Sequence, residues 1–288
     1  MVQGTPRIAA TGPGMSYERH DSELDYYPCT YGASRVPFRG PQVGLEQPYV
    51  AVLGGSEVYG CYIEDPFTDR LSEMTGRRVL NLGVRNGSLD VYAQDEALMK
   101  VIAGAETTVI QVMGGANISN RFYSVHRRRN DRFLRHSILM ETLFQEVDFS
   151  DFSFTRHMLC TLKAASEEKF AMVTRELQEA WVARMRLLLS RIPGTKILLW
   201  IENAEEGDLG PEPLFVTVDM MQKLEPMIDK LVHCDVTDDQ RDGQLRHMIY
   251  PEMEVAAARL SLSNESHERI ARVLARAVGR RDGRRLTA

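Results

Sequence analysis

Three short apolar runs, each closed by glycine, constrain this chain more than anything else in it: Tyr49–Leu53 (YVAVL) ends on Gly54-Gly55, Arg78–Leu82 (RVLNL) on Gly83, and Thr107–Met113 (TTVIQVM) on Gly114-Gly115. A continuous apolar run of this length suits a strand buried on both faces rather than one half exposed to water. Helical spacing separates them. Residues 64–75 place Phe67, Leu71 and Met74 on one face with Gly76 as C-terminal cap, and residues 89–103 read as a second helix. Strand, helix, strand, helix, strand in this order predicts parallel neighbours joined by helical crossovers. Ligands of such sheets collect at the carboxyl ends of the strands, which is where all three glycine turns lie.

Residues 121–136 (RFYSVHRRRNDRFLRH) are strongly basic and are followed by helical stretches at 137–147 and about 165–192. In the longer one Phe170, Val173, Leu177, Trp181, Met185 and Leu188 recur at steps of three or four, and Pro193-Gly194 stops it. A fourth strand is expected at Lys196–Ile201, an acidic loop at 202–213, a helix at 217–229 and a fifth strand at Lys230–Val236. Residues 264–279 form a terminal amphipathic helix with Ile270, Val273, Leu274 and Val278 on its buried face. The expected class is α/β: a three-layer, flavodoxin-like parallel sheet with a mostly helical insertion, 121–192, after the third strand. Neither a repeat nor a linker interrupts it, so residues 25–280 are read as one domain. It lies between a Gly-, Pro- and Ser-rich leader (1–24) and a solvated tail (281–288), and irregular residues 25–47 cover part of its surface.

The bulk numbers exclude several functions. A net charge of −5 argues against a nucleic-acid partner or an anionic membrane. Cys29, Cys61, Cys160 and Cys234 lie far apart with no C-x-x-C, so neither a zinc site nor a disulfide framework is expected. The N-terminus has no apolar signal core and no apolar run is long enough to span a bilayer, which reads as a cytoplasmic chain. No metal and no cofactor are expected. The P-loop pattern, a completed G-x-G-x-x-G, H-E-x-x-H and the G-x-S-x-G elbow are all missing.

An ordered set of residues is present instead. Ser56 follows the first strand, Gly83 the second, Asn117 the third, and His267 opens the last helix. Singly, each has an ordinary structural explanation: Ser56 as a helix cap, Gly83 as a tight turn, Asn117 as a turn or cap, His267 as an exposed residue of a first helical turn.

Taken together the set resembles the SGNH (GDSL-type) hydrolase superfamily. Gly54-Gly55-Ser56 matches its G-D-S block with glycine for aspartate, Gly83 its glycine block, Gly115-Ala116-Asn117 its G-x-N block, and Asn264 to His267 its D-x-x-H block with asparagine for aspartate. The likeness is carried by roughly residues 48–120 and 260–280, and the chain as a whole also resembles an alphaproteobacterial family of unknown function. The resemblance implies an SGNH-like arrangement with Ser56 as nucleophile and His267 as base. The oxyanion hole would be made by the backbone N–H groups of Ser56 and Gly83 and the Asn117 amide. A serine needs a base to become nucleophilic, and a tetrahedral oxyanion needs donors already aimed at it. Asn264 supplies no charge to steady an imidazolium. Either a dyad operates, Asp235 or Glu265 substitutes, or the site is no hydrolase.

Three functions follow. The first is a serine esterase or acyl-transfer enzyme acting on a small-molecule or carbohydrate ester. The second is a catalytically silent domain binding a ligand or partner through the same cleft and its basic rim, where Arg121, Arg127 and Arg129 are anion-binding candidates. The third is group transfer from a phosphorylated or sulfated donor. The basic segment has a plainer reading as a solvated helix start. Helices 137–192 could join two copies of the chain.

Overall fold

A computed structural model describes residues 24–280. In chain order its elements are β1 (Tyr49–Gly54), α1 (Ser56–Tyr59), α2 (Phe67–Thr75), β2 (Arg78–Gly83), α3 (Leu89–Ala93), α4 (Glu96–Ala103) and β3 (Thr107–Gln111). Then follow β4 (Tyr123–Val125), β5 (Phe133–His136), α5 (Ile138–Leu143), α6 (Thr155–Ala165), α7 (Glu167–Ser190), β6 (Thr195–Gly207) and β7 (Gly210–Glu212). The last are α8 (Val218–Gln222), β8 (Lys230–Asp235), α9 (Thr237–Gly243), α10 (Val255–Arg259) and α11 (Asn264–Val278).

The expected α/β architecture is what forms. Strands β2, β1, β3, β6 and β8 lie side by side in that order, all parallel, with β7 antiparallel against the far end of β6. Side chains alternate between the two faces, and the two cores follow from that alternation. Val50, Val52, Val79, Val109, Ile197 and Leu199 face Phe67, Leu71, Ile270 and Leu274 of α2 and α11. Ala51, Leu53, Leu80, Leu82, Ile110 and Leu198 face α3, α4 and α7, including the fully buried Tyr92 and Trp181. Each aliphatic side chain so enclosed contributes about 1.5–3 kcal/mol. A third cluster, with Phe133, Phe144, Met158, Leu162 and Val173, forms the core of the insertion.

Several local expectations change. Helix 89–103 is two helices, because Asp95 accepts from the N–H groups of Ala97 and Leu98 and so starts α4 afresh. The basic segment pairs with itself as the β4–β5 hairpin instead of opening a helix. Helix α6 has no counterpart in the periodicity reading, the expected helix 217–229 is limited to α8 and a short 3-10 turn, and β6 extends into the stretch read as an acidic loop. The expected leader, apart from Leu24, and the expected tail lie outside the described residues. Among those residues no helix is long and apolar enough to cross a membrane.

Candidate functional site

The strand ends are fixed by buried side chains. The Tyr92 hydroxyl accepts from Gly54 N at 3.0 Å and sits 2.7 Å from Gly54 O and 2.6 Å from Leu82 O, tying the tips of β1 and β2 together. Burial pushes this phenol far up from its ordinary pKa. Gly55 N donates to Gln111 Oε1 at 2.9 Å, and Gln111 Nε2 donates to Glu57 Oε2 at 3.0 Å, so β3 holds the turn from the other side. Gly83 sits directly under α1. A Cβ there would lie 2.2 Å from Tyr59 N, so only glycine lets these two backbones meet.

Ser56 is half-buried at the head of α1, but it does not cap that helix; Gly55 is the N-cap residue. Its Oγ reaches across to the loop after β2, accepting from Asn86 N at 3.0 Å and lying 3.4 Å from Asn86 Oδ1. Asn86 adopts a left-handed conformation (φ 54°) in an Asn-Gly turn. From there polar contacts cross the sheet edge. Asn86 Nδ2 approaches Asp131 Oδ2 at 3.4 Å, Asp131 O accepts from Thr155 N at 3.0 Å, and Thr155 Oγ1 donates to Asn117 Oδ1. Ser88 joins the same group, its N–H donating to Asn130 Oδ1 at 2.7 Å. The second carboxylate oxygen of Asp131, Oδ1, is buried with no hydrogen-bond partner. Ser56 and Asn117 therefore share one polar edge, above the point where β1 separates β2 from β3.

His267 is held elsewhere. It is 1% exposed, lies in the α2–α11 interface, stacks on Phe67 at 5.6 Å between ring centres, and its Nδ1 accepts from Phe67 N at 3.0 Å. Burial, reinforced by the Arg70 and Arg39 charges, pulls its pKa down from 6.5 to about 3. Ser56 Oγ and the His267 ring share no hydrogen bond; Asn86 is the hydroxyl's partner. The expected pair is thus not brought together, because α11 turns His267 into the core on the face that also carries Ile270, Ala271 and Leu274. Asn264 is occupied by Arg70, whose Nη1 donates to its backbone carbonyl at 3.1 Å and whose Nη2 donates to its side-chain oxygen. Asp235 is exposed; the Thr237 side chain, and then Thr237 N donating at 2.9 Å, hold its carboxyl below the ordinary range, while Glu265 lies 3.8 Å from Arg246; neither bonds to His267. Gly83 N donates to Asn81 Oδ1 at 2.9 Å, so this oxyanion donor is already engaged.

The rim also separates its candidates. Arg121 is locked onto Glu176, donating through its backbone N at 3.1 Å and its Nε at 2.6 Å, with Glu179 at 3.6 Å. Arg127, Arg128 and Arg129 are exposed on the β4–β5 connection that carries Asn130 and Asp131 to the edge. Arg127 reaches Gln94 at 3.1 Å, and among the described residues none of the three forms an ion pair with a carboxylate. Asn86, Asp131 and Thr155 were not singled out by sequence. The Asn86-Gly87 dipeptide, a strong turn signal directly after a strand, was the one local clue to this part of the site.

The edge carries the half-buried Ser56, Asn117 and Asp131 and the exposed Asn86, beside guanidinium groups with no anion of their own. Among the described residues Ser56 Oγ is hydrogen-bonded to Asn86 and to no histidine or carboxylate. Among the described residues no group of three or more His, Cys, Asp or Glu is placed to hold a metal ion.

No curated protein matches the chain in sequence. Among solved structures, a lipase from a goat rumen metagenome is 13% identical with a TM-score of 0.41, covering 81% of this chain and 98% of its own. A gut microbial diltiazem-metabolizing enzyme is 11% identical with a TM-score of 0.39, covering 80% of this chain and 47% of its own. The family pattern described as a domain of unknown function, DUF6473, matches residues 15–282, and the chain belongs to that family.

Proposed function

We propose that the chain carries an SGNH-like domain whose polar sheet edge binds a hydroxylated, anionic small molecule, with no acyl chemistry at Ser56. One observation carries this reading: His267 is committed to Phe67 N inside the α2–α11 interface, and Ser56 Oγ is committed to Asn86. A hydroxyl without a base within reach stays a weak nucleophile. Gly55 and Asn264, which stand where the SGNH pattern has aspartates, fit the same reading. The ligand chemistry follows from the groups available. The half-buried Ser56, Asn117 and Asp131 suit hydroxyl groups, and Arg127, Arg128 and Arg129 suit a phosphate or carboxylate, to which guanidinium binds in a fork.

The test is thermal melting and calorimetry with a panel of sugar phosphates, sugar acids and the matching neutral sugars. The expected result is stabilisation by anionic members, about 2.7 kcal/mol at a hundredfold excess over Kd. It should persist in Ser56→Ala and disappear in the Arg127→Glu, Arg129→Glu double variant. Turnover of an aryl ester by the wild type that vanishes in Ser56→Ala would overturn the proposal. So would binding that the charge reversal leaves intact.

A further inference from the structure

Helix α7 carries a pattern that the polar sheet edge does not use. It is 24 residues long, about 36 Å at the helical rise, and its buried stripe (Phe170, Val173, Leu177, Trp181, Met185, Leu188) packs into the sheet and the insertion. Its opposite stripe is open to solvent. Two large apolar side chains sit there, Met172 at 55% exposure and Leu187 at 48%. Between and beside them the exposed residues Glu168, Ala171, Arg175, Glu179, Ala183 and Arg186 recur at helical steps. Grooves of about 400 Å³ run along both flanks of the helix near Arg175, one lined by Phe170 and Thr174, the other by Leu139, Leu143 and Met172.

The order of those six residues is symmetric about position 177. Glu168 and Arg186 lie nine residues to either side of it, Ala171 and Ala183 six, and Arg175 and Glu179 two. A two-fold axis at that point brings two copies of α7 together antiparallel. It sets Glu168 against Arg186 of the second copy, Arg175 against Glu179, and Ala171 against Ala183. Opposite charges then meet at four contacts, and the alanines let the helices approach closely. A parallel arrangement puts each charge against its own like. Three of these four charges are free of any ion pair: among the described residues Glu168, Arg175 and Arg186 form none, Arg186 donates only to Lys223 O at 3.2 Å, and Glu179 lies 3.6 Å from the exposed Arg121 Nη2. We infer that this face of α7 is an isologous interface with a second copy of the chain, centred on position 177 and antiparallel.

The test uses the full chain in analytical ultracentrifugation. Wild type is expected to dimerise in the micromolar range or tighter. Glu168→Arg and Arg186→Glu each place like charges at two symmetric contacts and are expected to weaken the dimer by about tenfold or more while leaving the melting temperature of the fold unchanged. Mixed in equal amounts, the two variants are expected to form a heterodimer, because every contact then pairs opposite charges. Positions 168 and 186 are about 27 Å apart along one helix, so this rescue passes only between chains. A wild type that stays monomeric to about 100 µM overturns the inference. So does a dimer that neither variant weakens, or a pair of monomeric variants that mixing fails to rescue.

Discussion

Acidifying this protein acts on His267 in a way its surroundings make calculable. The free imidazole titrates at 6.5, and in the fold the ring is held neutral down to about pH 3 by burial and by the nearby Arg70 and Arg39. Below pH 6.5 the unfolded chain takes up a proton that the folded chain refuses. The group's contribution is therefore fully present above 6.5 and falls as the pH drops, by about 1.4 kcal/mol per unit, until the folded pKa is reached. Between neutrality and about pH 5 the loss from this one residue is about 2 kcal/mol. His267→Asn keeps a side-chain acceptor near the Nδ1 position for Phe67 N–H and removes the titration. It should be less stable than wild type at neutral pH, because asparagine gives up the stacking on Phe67, yet lose about 2 kcal/mol less on the way to about pH 5. Urea unfolding of both proteins at the two pH values gives the comparison, and other titrating groups cancel in the difference. Slopes that agree within about 0.5 kcal/mol would refute the buried, neutral assignment.

Two further substitutions test how the edge is held. Arg39 is 5% exposed and donates to the carbonyls of Gly60, Ile63 and Glu64 at 2.6–2.7 Å, fastening residues 25–47 to the loop after α1. Arg39→Met takes the guanidinium from the Ile63 and Glu64 carbonyls and leaves Gly60 O with Ile63 N alone, and should cost about 2–4 kcal/mol in chemical denaturation. Tyr92→Phe removes the hydroxyl that serves both Gly54 N and the strand-end carbonyls, and should cost about 1–3 kcal/mol by the same measurement, with local loss of amide protection at Gly54.

The parts of the fold that could be read from sequence are those where one period dominates. Val50, Val52, Val79 and Val109 stand in runs too continuous for a half-exposed strand, and Phe170 to Leu188 repeat at the helical step for too long to be anything else. The hairpin Tyr123–His136 is hidden because its strands are only three and four residues long and the exposed arginines of the connection between them dominate the segment's composition. Asp95 split a helix whose apolar pattern runs straight through it, since a side chain that caps two N–H groups outweighs propensity at that point. Arg39 was invisible for the opposite reason: its worth lies in carbonyls some twenty residues away, which no local pattern reports.

For the site, chain order placed Ser56 and Asn117 at one edge. For His267, order was the wrong guide and periodicity the right one. Position 267 lies three, four and seven residues before Ile270, Ala271 and Leu274, which puts it on the buried face of α11. The groups that Ser56 and Asn117 meet, Asn86, Asp131 and Thr155, come from a turn, a hairpin tip and a helix start, and only tertiary packing gathers them.

Ser56 decides between a binding edge and an acyl-transfer site, and it can be asked directly. Intact-mass measurement after incubation with a fluorophosphonate at neutral pH reports whether its hydroxyl is activated. The prediction is an unmodified chain, in the wild type as in Ser56→Ala. A stoichiometric adduct on Ser56, absent from Ser56→Ala, would contradict the account.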